Sequence, residues 1–112
     1  MSKRDAKLYL EDIKVAILRI KEYIKGLSAR DFYRDARTMD AVVRNLSVIG
    51  EAAKNIPVKV KSDYPLIPWE EIVGMRNKII HEYFGVDETI LWKTVKKDLP
   101  ELKKQIDTII LN

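Results

Sequence analysis

The hydrophobic positions of the chain follow the period of an α-helix. Apolar residues recur at steps of three and four, and no segment alternates between polar and apolar residues as a half-buried strand does. This pattern therefore predicts two long amphipathic helices, over residues 4–25 and 36–56. The stripe of the first consists of Tyr9, Ile13, Ile17, Ile20 and Ile24, and that of the second of Val42, Leu46, Ile49, Ala53 and Ile56.

Glycine, serine and proline residues set the predicted boundaries of these helices. Gly26 ends the first, because glycine readily adopts the left-handed conformation that closes a helix. Ser28 is placed to cap a short helix over residues 29–33. Pro57 ends the second long helix, and residues 58–66 form a connector with a turn or two.

Pro68 begins a third helix, predicted to run from residue 69 to 83 or 84, with acidic residues at its positive end. Asp87 is predicted to cap a fourth helix, which Pro100 breaks or restarts. A last helical stretch is predicted to continue to the end of the chain. The expected fold is therefore all-α, an antiparallel up-down four-helix bundle with short additional helices, in a single domain over residues 1–112.

Composition narrows the chemistry. The chain has one histidine and no cysteine, which excludes a thiolate nucleophile, a disulfide framework and a cysteine-based zinc site. The net charge of +4 makes an acidic partner such as a nucleic acid more plausible, although lysines on solvated helix faces explain it equally well. With no long apolar run and no signal-peptide core, we expect a cytoplasmic protein without a membrane span.

The third helix carries an unusual set of polar residues. On a helical wheel Arg76 falls in the middle of the apolar stripe, and Tyr83 lies almost in line with it two turns later. Asn77 and His81 are four residues apart, and therefore neighbours, at the rim of the stripe. A buried arginine needs an acidic partner, a second subunit or a phosphate.

Each of these residues also has a structural interpretation. Arg76 could form an ion pair with Glu51 or Asp40 on the second helix. His81 could be a surface or cap residue, and Tyr83, like Trp69, could belong to the core. No second histidine stands at metal-ligand spacing, so no metal and no cofactor is predicted.

These polar residues together are a more specific signal than any one of them alone. Arg76, Asn77, His81 and Tyr83 match, position by position, the motif of the HEPN superfamily, which the chain resembles. The second helix is similar to that of the HepT-like toxins, which pair with MntA-type minimal nucleotidyltransferases. The matching segments there are Asp-Ala-Val-Val-Arg-Asn-Leu at 40–46 and Ile-Gly-Glu-Ala at 49–52.

The resemblance implies a metal-independent endoribonuclease formed by a homodimer, in which two motif helices meet and their cleft takes RNA. His81 and Arg76 would be catalytic, with His81 transferring a proton and Arg76 stabilising the charge on phosphorus. Asn77 and Tyr83 would position the substrate.

The resemblance also implies the toxin of a type VII-like toxin–antitoxin system. A cognate MntA-type nucleotidyltransferase antitoxin would neutralise it by transferring AMP onto Tyr83. Two alternatives remain open. One is a non-catalytic nucleotide- or substrate-binding subunit of a nucleotidyltransferase, and the other is a helical dimer with a structural pair between Arg76 and Glu51.

Overall fold

The computed structural model describes residues 5–82 and 88–111, and for residues 76–82 it describes the backbone alone. All regular secondary structure in these two ranges is helical, so the predicted all-α bundle is confirmed. Helix α1 spans Ala6–Ile24, slightly shorter than predicted, because the Asp5 carboxylate caps it by accepting the Lys7 N–H at 3.1 Å. Gly26, with φ of 78°, closes the turn that follows.

Helix α2, Ala29–Tyr33, begins at Ser28 as predicted. The Ser28 hydroxyl accepts the Asp31 N–H at 3.1 Å, and the Asp31 carboxylate accepts the Ser28 N–H at 3.1 Å. This reciprocal capping box satisfies two N–H groups that a helix start leaves open. The fully buried Phe32 then ties α2 to the bundle, with its ring centroid 5.1 Å from that of Trp92.

Helix α3 spans Ala36–Lys54, two residues less than predicted. Its start is fixed by Asp35, whose carboxylate accepts the Thr38 N–H at 3.0 Å and the Thr38 hydroxyl at 2.6 Å. All five residues of the predicted stripe are buried, although Ile56 lies beyond the helix end. Helix α3 packs against α1 on one side and against α5 on the other, so it is the central helix of the bundle.

The connector contains a short helix, α4, at Val58–Asp63, and leads to α5 at Trp69–Glu82. Tyr64 joins this region to the far end of the chain. Its backbone carbonyl accepts the Trp69 Nε1–H at 3.1 Å, and its hydroxyl accepts the Ile110 N–H at 2.8 Å.

The last helical region differs from the prediction. Helix α6, Glu88–Lys93, continues into a π-helical segment, Thr94–Asp98, and then into α7, Leu99–Asp107. Pro100 lies in the first turn of α7, directly after the π-helical segment, which agrees with the predicted restart of the helix at this residue. The predicted start at Asp87 lies outside the described residues.

The prediction that the last helix continues to the chain end is wrong. Helix α7 stops at Asp107, and the Thr108 hydroxyl donates to the Gln105 carbonyl at 2.6 Å. Ile110 is consequently outside the helix and 76% exposed, while its N–H bonds to Tyr64. No helix in the described part of the chain is long and apolar enough to cross a membrane.

Candidate active site

Three of the four motif residues lie in one helix. Arg76, Asn77 and His81 all fall within α5, Trp69–Glu82, where their backbone is helical. Tyr83 lies outside the described residues. At a rise of about 1.5 Å per residue, Arg76 and His81 are separated by about 7.5 Å along the axis, and Asn77 and His81 by about 6 Å.

The first half of α5 packs into the main core. Trp69 is 7% exposed and Ile72 is 3% exposed, and both belong to the main core. Glu70 and Glu71 are exposed in the first turn, where their negative charge is favourable beside the unpaired N–H groups of the helix start. The motif residues therefore follow directly on an anchored helical segment.

The register of α5 extends its packed face towards Arg76. Ile72, four residues earlier, is buried, and Val73, three residues earlier, is half-buried and packs on the core. Because residues three and four apart share a helix face, position 76 continues the face that packs in the first half of the helix. An arginine on a packed helix face needs a partner for its charge.

Helix α3 supplies the surface beside α5. Gly50, in the last third of α3, is buried. Asp40 and Glu51 are exposed residues of α3. Any pairing of either carboxylate with the Arg76 guanidinium lies outside the described residues, and Glu51 as the structural partner of Arg76 stays a prediction.

A surface groove of about 430 Å³ runs between α1 and α3. Its wall on α1 includes Tyr9 and Asp12, and its wall on α3 carries both an arginine and a carboxylate. No pattern in the sequence indicates this groove, because it forms only where two helices distant in the chain come together. The lining residues are Tyr9, Asp12, Arg44, Ser47, Val48, Glu51, Ala52 and Asn55.

Two carboxyl groups at helix ends, those of Asp35 and Asp107, have lowered pKa values. The hydroxyl and N–H of Thr38, with help from the Arg37 charge, hold the pKa of Asp35 below its ordinary value. The Lys103 ammonium, 2.6 Å away, does the same for the pKa of Asp107. The first group caps α3 and the second forms an exposed pair on α7, so both act on helix stability.

Among the side chains of residues 5–75 and 88–111, no group of three or more histidine, aspartate or glutamate residues is arranged to hold a metal ion. His81 lies between the two ranges, and the expectation of metal-free chemistry at the motif stays a prediction.

Comparison with known proteins shows the family of this chain. The family model described as "Ribonuclease HepT-like" matches residues 13–109. A protein of Thermococcus cleftensis named "Probable ribonuclease HepT" is 50% identical over 107 residues, covering 96% of this chain and 97% of its own length.

Two further relatives are named as RNases. A "Putative RNase" of Caldanaerobacter subterraneus subsp. tengcongensis is 46% identical over 102 residues, 91% of each chain. A "Putative RNase" of Methanocaldococcus jannaschii is 44% identical over 110 residues, 98% of this chain and 91% of its own. No solved structure is significantly similar. The chain belongs to the HepT-like family, as its motif helix and its second long helix indicate.

Proposed function

We propose that this protein is a metal-independent endoribonuclease whose active site is built by a homodimer around Arg76 and His81. The observation that carries the proposal is the register of these two residues on α5, in a chain of the HepT-like family. The RNase names of its relatives support the same reaction class. A single domain over residues 1–112 would form each subunit.

The reaction is an intramolecular displacement within RNA. The imidazole of His81 accepts the proton of a ribose 2′-hydroxyl, and the oxygen attacks the adjacent phosphorus. The bond from phosphorus to the 5′-oxygen breaks, and that oxygen takes up a proton. The products are a 2′,3′-cyclic phosphate and a free 5′-hydroxyl. The guanidinium of Arg76 offers two parallel N–H groups to the phosphoryl oxygens as their charge grows.

Because each chain has a single histidine, a dimer is needed to supply two at one site. The reaction needs a base for the 2′-hydroxyl and an acid for the leaving oxygen, and the chain contains one histidine. Two copies supply two imidazoles, so one His81 serves as the base while the His81 of the other copy serves as the acid. Asn77, four residues before His81, is in position to orient the imidazole or the substrate.

The direct test is RNA cleavage by purified His81→Ala and Arg76→Ala dimers, with a chelator present. We expect cleavage to fall at least about a hundredfold for His81→Ala, the usual contribution of a general acid or base. Arg76→Ala should cost about a hundredfold to a thousandfold. Lys104→Ala, at an exposed position of α7, is the control and should cleave like the wild type.

Activity like the wild type in either motif variant contradicts the assignment. If the wild type binds nucleotides tightly but leaves RNA intact, the protein is a nucleotide-binding subunit. If chelation abolishes cleavage, the reaction depends on a metal and the proposed chemistry is wrong.

We further propose that the protein is the toxin of a type VII-like toxin–antitoxin pair, silenced by AMP transfer onto Tyr83. A nucleotide joined to Tyr83, two residues after His81, adds negative charge and bulk at the site where RNA phosphate must bind. Co-expression with a cognate minimal nucleotidyltransferase should add the mass of AMP to the wild type and leave Tyr83→Phe unmodified. A neutralised complex with unmodified Tyr83 would show that inhibition proceeds by binding alone.

A further inference from the structure

A row of lysines runs along one side of α1. Lys7, Lys14 and Lys21 are spaced by seven residues, and because seven residues make nearly two helical turns, the three lie almost in line. Neighbouring members of the row are about 10.5 Å apart along the axis. Lys7 and Lys21 are exposed, and Lys14 is half-buried. This side of α1 therefore presents positive charge at a regular spacing.

A second row of lysines lies beside the first, on the C-terminal helical region. Lys96 in the π-helical segment and Lys103 in α7 are also seven residues apart. The Asp107 carboxylate joins the two rows, because it lies 3.6 Å from the Lys14 ammonium and 2.6 Å from that of Lys103. Lys96 is exposed, and its ammonium lies 5.4 Å from the centre of the Trp92 ring.

The two rows run side by side in opposite directions. Trp92 packs on Phe32 of α2, which follows α1 in the chain, so Lys96 is at the end of the bundle where α1 ends. Asp107 lies beside the middle of α1, and α7 packs directly on that helix. The two rows together are called the basic stripe, and its lysines are Lys7, Lys14, Lys21, Lys96 and Lys103.

The basic stripe contains the excess positive charge of the chain. Its five lysines and Asp107 have a net charge of +4, which equals that of the whole chain, so the remaining residues are neutral in total. Lys14 and Lys103 share one carboxylate, and positive charge therefore stays unbalanced even where the helices touch. Glu11 and Glu22 lie on the next row of α1, on the side away from α7, and border the stripe.

We propose that the basic stripe binds the sugar–phosphate backbone of RNA beyond the phosphodiester that is cleaved. Regularly spaced ammonium groups suit a polymer with a phosphate at every nucleotide, because each neutralised phosphate releases bound counterions. The stripe is separate from the motif helix, since α1 and α5 pack on different sides of α3. The inference rests on the proposed ribonuclease function and names its substrate class, which is RNA long enough to reach from the cleft to α1.

The salt dependence of RNA binding tests the stripe. The triple variant Lys7→Gln/Lys21→Gln/Lys96→Gln removes three ammonium groups and keeps both pairs to Asp107. Fluorescence anisotropy measures the binding of oligouridylates of increasing length at several salt concentrations, in chains that also carry His81→Ala so that RNA stays intact. Three lost phosphate contacts should lower the slope of log K against log salt by about 2. The dissociation constant should rise about tenfold or more at low salt for long oligomers and stay unchanged for the shortest.

A matched control separates the stripe from net charge. Lys54→Gln/Lys59→Gln/Lys104→Gln makes the same change in net charge at exposed positions of α3, α4 and α7. A general loss of positive charge would weaken binding equally in both triple variants, whereas the stripe predicts weaker binding in the first alone. Circular dichroism should show the same helix content in both, since every substituted side chain is exposed.

Cleavage kinetics give a second readout, in chains that keep His81. With long RNA, the stripe variant should raise KM and leave kcat unchanged, because its lysines hold the substrate equally in the ground state and the transition state. A lower kcat with an unchanged KM would place these lysines at the reacting phosphodiester and contradict the proposal.

The outcomes distinguish the stripe from the proposed activity. A stripe variant that binds long RNA like the wild type, or a control that weakens binding equally, overturns the stripe even if RNA cleavage is intact. Weaker binding in the stripe variant alone supports the stripe even if the wild type cleaves no RNA. A stripe variant that binds RNA normally but loses a protein partner shows that an acidic protein occupies this surface instead. A wild type that binds no RNA at any salt concentration overturns both proposals.

Discussion

The indole of Trp69 anchors the helix that carries the motif, and its replacement by phenylalanine has a calculable cost. The Nε1–H donates to the Tyr64 carbonyl at 3.1 Å. Loss of this bond costs about 0.5–1.5 kcal/mol. The carbonyl is not orphaned, because it also accepts the Ile67 N–H at 3.2 Å, so the larger penalty for an unsatisfied group does not apply. The smaller ring leaves a gap that costs about 1 kcal/mol more.

We therefore expect Trp69→Phe to lower the free energy of unfolding by about 2 kcal/mol. For a chain of this size the melting temperature should fall by about 8 °C. Urea denaturation gives the free energy of unfolding and a thermal scan gives the melting temperature, and circular dichroism follows both without depending on the removed fluorophore. Position 69 is about 10.5 Å along the axis from Arg76, so RNA cleavage by the folded variant should match the wild type.

The half-buried Trp92 provides the matched control. Trp92→Phe makes the same chemical change at a more exposed position and should cost less than Trp69→Phe. A loss below about 0.5 kcal/mol for Trp69→Phe would refute the reasoning, because neither the hydrogen bond nor the buried ring would then contribute. Loss of cleavage at full stability would place Trp69 in the site itself.

Three further substitutions test the turns and caps that position the helices. The pKa of Asp35 is held below its ordinary value of 3.8 by Thr38, so the stability from this cap is present above that pH and is lost as the pH falls through the lowered pKa. The difference in unfolding free energy between the wild type and Asp35→Ala should accordingly shrink on acidification from pH 6, as urea titrations at each pH will show. Gly26→Ala places a side chain at φ of 78° with nothing within 4 Å, so backbone strain alone should cost about 1–2 kcal/mol, and Gly26→Asn should cost less in the same titration. Tyr64→Phe removes the acceptor of the exposed Ile110 N–H, and because water replaces it we expect a loss of less than about 1 kcal/mol together with faster hydrogen exchange at that amide.

The helices of this protein were predictable because local signals agree with packing. The capping box at Ser28 and the left-handed Gly26 each determine a boundary within a few residues of chain, and the structure has both where the sequence places them. The buried stripes of α1 and α3 follow from periodicity alone, because each helix needs one apolar face to join the core.

The C-terminal region was less predictable, because tertiary contacts override the pattern there. Ile109 and Ile110 continue the helical spacing of α7, yet the helix ends at Asp107. The hydroxyl of Tyr64, distant in sequence, takes up the Ile110 N–H. The π-helical segment Thr94–Asp98 likewise departs from the local periodicity, and no residue within it indicates this in the sequence.

Of the candidate site, likewise, only a part could be predicted from the sequence. The spacing of Arg76 and His81 on a helix could be read directly, because Pro68 and the apolar stripe predict a helix over this segment. The groove between α1 and α3 could not, since it depends on how two helices distant in sequence come together.

The central claim is an RNA-cleaving site shared by two chains, and a dimer with one altered histidine tests it most directly. Wild-type and His81→Ala chains carrying different tags are co-expressed, and the mixed dimer is purified through both tags. If one His81 acts as base and the other as acid, the mixed dimer should lose at least about a hundredfold in single-turnover cleavage rate. A mixed dimer that retains half of the wild-type rate would contradict the account, because each chain would then hold a complete and independent site.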